Sequence, residues 1–181
     1  MLNNLFLNNF DKQASAQFLV HRSDLGIKFF EFISFFGNWQ FLLPAVLVII
    51  LILFFKKQKK FIAPFFLVVV VAEAITFFGK LYFGRPRPLL AVLHETDPSF
   101  PSGHATIAVA FYGYLAYLII KLFPERSKYL IIILSILIII LIGFSRLYLG
   151  VHYVSDVVAG YLVGLLALSV GIIFSNRKIN K

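Results

Sequence analysis

"LIIILSILIIILIG", residues 130–143, contains no charge and one hydroxyl. A helix built from it has no polar face to turn toward water, so it belongs in a core or a bilayer. Followed outward, the run extends over residues 129–149 with Arg146 as its one charge. Four more runs look the same: residues 39–55, 61–79, 105–120 and 153–174, whose only charges are Glu73 and Asp156. A bilayer-crossing helix needs roughly 20 apolar residues, about 17–25. The chain has 181 residues, of which 60% are hydrophobic and 14% charged. Soluble domains carry roughly 25% charged residues, and a globule of this length cannot bury five such runs. The fold class read from this is all-α: an integral membrane helical bundle of five transmembrane helices.

The basic residues orient the bundle. Lys56, Lys57, Lys59 and Lys60 follow the first run, Lys121, Arg126 and Lys128 the third, and Arg177, Lys178 and Lys181 the fifth. These places alternate, so they share one face, which the positive-inside rule makes cytoplasmic. The N-terminus, residues 82–103 and the turn at 149–152 then fall outside the cytoplasm. The net charge of +9 is thereby explained by topology, and no nucleic-acid partner is expected. The absence of cysteine excludes disulfides and thiolate metal sites.

Upstream of the first run, "MLNNLFLNNFDKQASAQF" (residues 1–18) lacks the basic start and cleavage site of a signal peptide. Residues 23–37 read as a short apolar helix, capped by Ser23 or Asp24, ended by Gly37 and lying on the outer leaflet beside Trp39. Three segments result: residues 1–38 with the interfacial helix, the bundle at 39–176, and a basic cytoplasmic tail at 177–181.

Three polar clusters interrupt the apolar pattern on the extracytoplasmic side. "GKLYFGRPRP" (residues 79–88) brings Lys80, Arg85 and Arg87, with two prolines keeping the arginines out of the helix. "PSGH" (residues 101–104) opens the third run; Ser102 is a natural N-cap, and Gly103 and His104 offer amides at a helix N-terminus that favours anions. A plain cap followed by an exposed histidine would account for that cluster alone. "SRLYLGVHYVSD" (residues 145–156) sets His152 and Asp156 four apart, on one helical face. An aspartate there can fix the imidazole tautomer. Fixed cations, a helix N-terminus and two histidines on one membrane face suit a phosphoryl group.

Lys80 with Arg87-Pro88, Pro101-Ser102-Gly103-His104, and Ser145-Arg146 with His152 and Asp156 together resemble the three-part signature of the type 2 phosphatidic-acid phosphatase superfamily. The resemblance spans about residues 39–174. It implies His152 as nucleophile, Asp156 as its orienting acid, and His104 as the proton donor to the leaving oxygen. Lys80, Arg87, Arg146, Ser102 and the Gly103 amide would hold the phosphate. It implies no cofactor and no metal, and a lipid substrate: undecaprenyl pyrophosphate, phosphatidylglycerophosphate or phosphatidic acid, with lipid A phosphate as an alternative. No obligate protein partner is expected. Arg85 and Glu95 are candidates for the substrate headgroup. For Glu95 and Asp97 a solvated loop is the plainer expectation, as it is for His94. Glu73 is expected to meet a cation between helices. Bacterial lipid phosphatases of this type usually have six spans, so the first is the one unaccounted for: the member is short, or its start lies upstream. A non-catalytic binder of anionic lipid and a proton-coupled transporter are the competing classes. Intact His104, His152 and Asp156 argue against the former, and apolar mid-span regions against the latter.

Overall fold

The computed structural model describes residues 2–123 and 127–179, all of whose regular elements are helical. They are α1 (Leu2–Val20), α2 (Asp24–Phe35), α3 (Trp39–Phe55), α4 (Ile62–Phe83), α5 (Gly103–Leu122), α6 (Lys128–Tyr148) and α7 (Val154–Ile179), with a single 3₁₀ turn at Lys59–Phe61. Five stretches are long and apolar enough to cross a membrane: Asp24–Phe55, Lys59–Phe83, Gly103–Leu122, Lys128–Tyr148 and Val154–Arg177. The first takes in both α2 and α3, broken at residues 36–38. All five apolar runs are therefore membrane helices, and the protein is a multi-pass membrane protein. Arg126 and Lys181, counted among the basic residues of one face, lie outside the described residues.

The helices sort by burial. α5 sits at the centre, with ten buried residues, and packs on α4, α6 and α7. The outward sides of α3, α4, α6 and α7 expose Leu47, Phe66, Ile133 and Leu162 by half or more, a surface that only a hydrocarbon solvent stabilises. Phe65, Val68, Phe111 and Tyr114 fill the interior, with Phe65 stacked on Tyr114 at 5.5 Å. Gly160 and Gly164 of α7 let it approach α5 closely: a Cβ at either would stand 2.6 Å from a backbone oxygen of Ser102 or Thr106. That small-xxx-small contact brings the start of α7 against the start of α5.

The N-terminal part departs from expectation. No element was read in residues 1–18, yet α1 spans nineteen residues. Its apolar residues follow no strong period, so its position depends on a tertiary contact through Asp11, described below. Between the two cap candidates of α2, Ser23 is the N-cap, accepting the Gly26 amide. The helix does more than rest on a leaflet, since it buries Ile33 and Ser34 against α6.

Candidate active site

The chain leaves α4 at Gly84, whose left-handed φ of 53° closes the helix with a hydrogen bond from its amide to Lys80. A residue with a Cβ resists that conformation. Helix geometry therefore ends just before Arg85-Pro86-Arg87-Pro88, and both guanidiniums are carried on extended chain. At the other end of this connection, Ser102 caps α5, its hydroxyl accepting the Ala105 amide. Its own amide donates to Asp156 O at 3.0 Å, joining the α5 and α7 starts. Gly150, with φ 67°, makes the tight turn from α6 into residues 151–153 and delivers His152.

These turns gather the cations. Arg87 donates to Val151 O at 2.8 Å and reaches His152 Nε2 at 3.1 Å. Arginine has no acceptor, so Nε2 must present its lone pair. The proton then sits on Nδ1, which faces Asp156 Oδ2 at 3.4 Å. That separation is long for a hydrogen bond, and Nδ1 has no other partner; catalytic contacts often tighten only around substrate. Burial drives the His152 pKa down to about 4 despite the Asp156 carboxylate, with Arg146 and Arg87 adding to the fall. At neutral pH the ring is an uncharged base aimed at a cluster of cations.

Two carboxylates of the same connection occupy those cations. Glu95 bridges Arg87 at 2.7 Å and Arg146. Asp97 bridges Lys80 at 2.7 Å and Arg87 at 2.8 Å. Burial works against each anion, but the neighbouring cations win and hold both carboxyls below their ordinary values: Arg146 and Arg87 for Glu95, Lys80 and Arg87 for Asp97. The expectation of a solvated loop acid is thus corrected for Glu95, while Asp97 is exposed as expected but paired with Lys80 and Arg87, and His94 is exposed as expected. Three cations against two carboxylates leave positive charge in excess.

A cavity of about 730 Å³ opens on this cluster, lined by Lys80, Arg87, Glu95, Asp97, Gly103, His104 and His152. It continues along α3 and α4 past Thr76 and Glu73 to Leu43, Val46, Phe66 and Val69. From Lys80 to Phe66 the helix rises about 21 Å at 1.5 Å per residue, so one end of the cavity is charged and the other lies deep among apolar side chains. Glu73 forms no ion pair among the described residues and lines the cavity, which corrects its expected pairing between helices. Thr76 Oγ1 is buried there without a partner among the described residues.

Not every predicted site residue faces this space. Arg146 stands behind Glu95, 1% exposed, with Ser34 Oγ on Nη1 at 2.6 Å and no partner for Nε. Ser102 is fully buried and its hydroxyl is turned to the helix cap, away from the cavity lining. Asp156 lies behind His152. Arg85, expected at the headgroup, is turned away from it. Its guanidinium holds Asp156 at 2.6 Å and Asp11 at 2.8 Å. Sequence reasoning missed Asp11 and Ser34. Asp11 had a signal, being the only acid in the first twenty residues; Ser34, in an apolar stretch, had none. Among the described residues no three potential metal ligands cluster.

A sequence model of the PAP2 superfamily matches residues 61–180. The chain is 37% identical over 137 residues to phosphatidylglycerophosphatase B of Bacillus subtilis, covering 74% of this chain and 68% of that protein. It is 36% identical over 88 residues to an undecaprenyl-diphosphatase of Sulfolobus acidocaldarius, covering 49% of this chain and 35% of that one. Its fold superposes on the crystal structure of a transmembrane PAP2 type phosphatidylglycerolphosphate phosphatase from Bacillus subtilis with a TM-score of 0.89 and 31% identity, covering 94% of this chain and 86% of the other.

Proposed function

This chain belongs to the PAP2 superfamily, and from that premise we propose that it hydrolyses a phosphomonoester or pyrophosphate of a membrane lipid at the extracytoplasmic face, through a phosphohistidine intermediate. The observation that carries the reading is a single cavity with a neutral imidazole, Lys80 and Arg87 at one end, Arg146 behind Glu95 beside them, and apolar walls at the other end. A lipid can leave its tail among Val46, Phe66 and Val69 while its phosphate reaches Lys80, Arg87 and, once Glu95 is displaced, Arg146. The names of the relatives support phosphatidylglycerophosphate and undecaprenyl pyrophosphate as substrates.

In the proposed reaction the His152 Nε2 lone pair attacks phosphorus in line with the leaving oxygen. A P–N bond forms, the P–O bond to the lipid breaks, and His104 gives its proton to the departing oxygen. Asp156 supports the charge that develops on the ring. His104 then takes a proton from water, the resulting oxygen bonds to phosphorus, and the P–N bond breaks to free phosphate and His152. The three cations neutralise the phosphoryl oxygens in both steps, where charge stabilisation and positioning dominate. No step needs a metal or a cofactor.

The test is phosphate release by detergent-purified protein in EDTA, comparing the two pyrophosphate and monoester lipids with phosphatidic acid and lipid A. Release that is lost in His152→Ala, with a phosphate label trapped on wild-type protein by acid-free quenching, is the expected result. Release that survives His152→Ala refutes the nucleophile assignment. The orientation is tested separately by a reporter after Lys181, which should lie in the cytoplasm; an external reporter reverses the proposed face.

A further inference from the structure

Helix α1 carries one acid, and it is buried beside the candidate reaction centre. Asp11 is 0% exposed. Its Oδ1 accepts the Ser155 amide at 3.0 Å, and its Oδ2 receives the Ser155 hydroxyl and Arg85 Nη2, the latter at 2.8 Å. Arg85 Nη1 donates to Asp156 Oδ1 at 2.6 Å and to Ser155 Oγ at 2.7 Å. The guanidinium lies 4.2 Å over the Tyr153 ring, which fixes its plane. The second Asp156 oxygen accepts the Tyr153 amide at 2.9 Å and faces His152 Nδ1. Asp11, Arg85, Asp156 and His152 thus form one continuous chain from an N-terminal helix to the imidazole.

The order of charges gives that chain a purpose. An arginine placed directly on an aspartate forms a neutral pair, and a neutral pair does little to stabilise a cation developing on the neighbouring ring. A second carboxylate on the far side of the arginine changes the balance. Minus, plus and minus leave one net negative charge, and the oxygen of Asp156 not bound to Arg85 is the one aimed at His152. Arg85 therefore fixes the geometry of Asp156, and Asp11 prevents that restraint from cancelling its charge. Burial by itself would lower the Arg85 pKa, but Asp11 and Asp156 together raise it, so the guanidinium stays charged throughout.

Resting on the reading of His152 as nucleophile, we propose that Asp11 is a positioning residue of the reaction, acting through Arg85 to hold Asp156 against His152 and to preserve the negative charge that His152 feels. The other charged or titratable groups around His152 are Arg87 and Glu95 from the connection, Arg146 from α6 and His104 from α5. None of them touches Asp11, so they stay constant in the comparison below.

The experiment uses the full chain in detergent with four variants: Asp11→Asn, Asp11→Glu, Arg85→Gln and the Asp11→Asn/Arg85→Gln double. Asp11→Asn should lower kcat by ten- to a hundredfold while KM changes by less than about threefold, since no group on the substrate is lost. Asp11→Glu should recover part of that loss. The distinctive result is the double variant. Removing the arginine together with its counter-charge returns net negative charge to Asp156, so its kcat should equal or exceed that of Asp11→Asn. A purely structural anchor predicts that the two losses multiply, and that outcome overturns the proposal. Ring NMR of the histidines, with His152 assigned by its absence in His152→Ala, supplies a readout free of turnover. The His152 titration should move to lower pH in Asp11→Asn and return toward wild type in the double variant; an unmoved titration in Asp11→Asn also overturns the proposal. If the double variant, which leaves the buried Asp156 carboxylate without its guanidinium, does not fold, the His152 titrations of Asp11→Asn, where Asp156 stays paired with Arg85, and of wild type carry the comparison. A wild-type protein that releases no phosphate from any lipid defeats the proposed function, while the titrations still decide the link from Asp11 to His152.

Discussion

Glu95→Gln should tighten the binding of inorganic phosphate, the product of the proposed reaction. In the structure the Glu95 carboxylate spans Arg146 and Arg87, the guanidiniums proposed to hold the phosphoryl oxygens. A phosphate that binds there must first displace it. Glu95 is 25% exposed, so each ion pair it makes is partly screened and is worth about 0.5–1 kcal/mol, near the upper end of the exposed range. Two such pairs amount to about 1–2 kcal/mol, which is about 5- to 30-fold in affinity. A glutamine keeps the shape and loses the charge, so most of that competition disappears. The assay is competitive inhibition of lipid turnover by orthophosphate in detergent micelles, repeated across salt concentrations. The inhibition constant of Glu95→Gln should fall by the stated factor, and the difference from wild type should shrink as salt rises. Asp97→Asn should give a smaller effect, because Asp97 is 53% exposed. An inhibition constant that rises in Glu95→Gln would refute the reasoning, since Glu95 would then be organising the arginines for phosphate instead of competing with it.

Acid should weaken the fold in two windows. A depressed histidine pKa means that the unfolded chain takes up a proton before the folded one does. As pH falls from 6.5 to about 4, His152 therefore costs stability, by about 3 kcal/mol in the limit, and His152→Ala should flatten that part of the thermal-unfolding profile. Glu95 and Asp97 have folded pKa values below their ordinary 4.5 and 3.8. Their contribution is complete above those values and lost below them, so Glu95→Gln/Asp97→Asn should flatten only the more acid part. Thr76→Val should raise KM for diacylglycerol phosphates by about 2- to 10-fold, the worth of one neutral hydrogen bond, because the buried Thr76 hydroxyl lies about 6 Å along α4 from Lys80, at the depth of the ester groups. Polyprenyl pyrophosphate, with no acceptor there, should be unaffected; an equal change for both lipids would refute the contact. Gly160→Ala should cost about 1–3 kcal/mol by overpacking, since the new Cβ meets Ser102 O at 2.6 Å; wild-type stability in a detergent melt would contradict the close α5–α7 approach.

The bundle was legible because bilayer spans need no partner to be recognised: length and absence of charge identify residues 39–55, 61–79, 105–120, 129–149 and 153–174 one run at a time. The convergence of Lys80, Arg87, His104 and His152 on one cavity was legible for a related reason, since alternating lysine clusters fix which helix ends share a face. What escaped notice depends on contacts between distant segments. The residues of α1 carry no strong apolar period, and only the burial of Asp11 against Arg85 and Ser155 shows what the helix does. Ser102 reads as an N-cap from its place at a helix start, and is one; only the family resemblance makes it a phosphate ligand as well. The resemblance sets Arg87 apart from Arg85 as a phosphate ligand, but the partner of Arg85 was not legible, because Asp11 lies 74 positions upstream.

The carboxylates around the cations fall into two kinds, and exposure divides them. Glu95 and Asp97, 25% and 53% exposed, sit on a connection between helices; water can take over their charge when a phosphate arrives, so their contacts are replaceable. Asp11 and Asp156 are both 0% exposed, and a carboxylate so buried cannot leave its cation without stranding an unpaired charge, which costs far more than any substrate contact returns. The same chemistry, guanidinium on carboxylate, therefore serves opposite ends within one site. On the cavity side it keeps Lys80, Arg87 and Arg146 paired, with one positive charge in excess, until an anion competes for them. Behind His152 it is permanent and fixes the acid that faces the ring. Arg87 stands where the two meet, touching Glu95, Asp97 and His152 Nε2 at once. Displacing the loop carboxylates frees Arg87 to hold an incoming phosphoryl group beside the same nitrogen that would attack it.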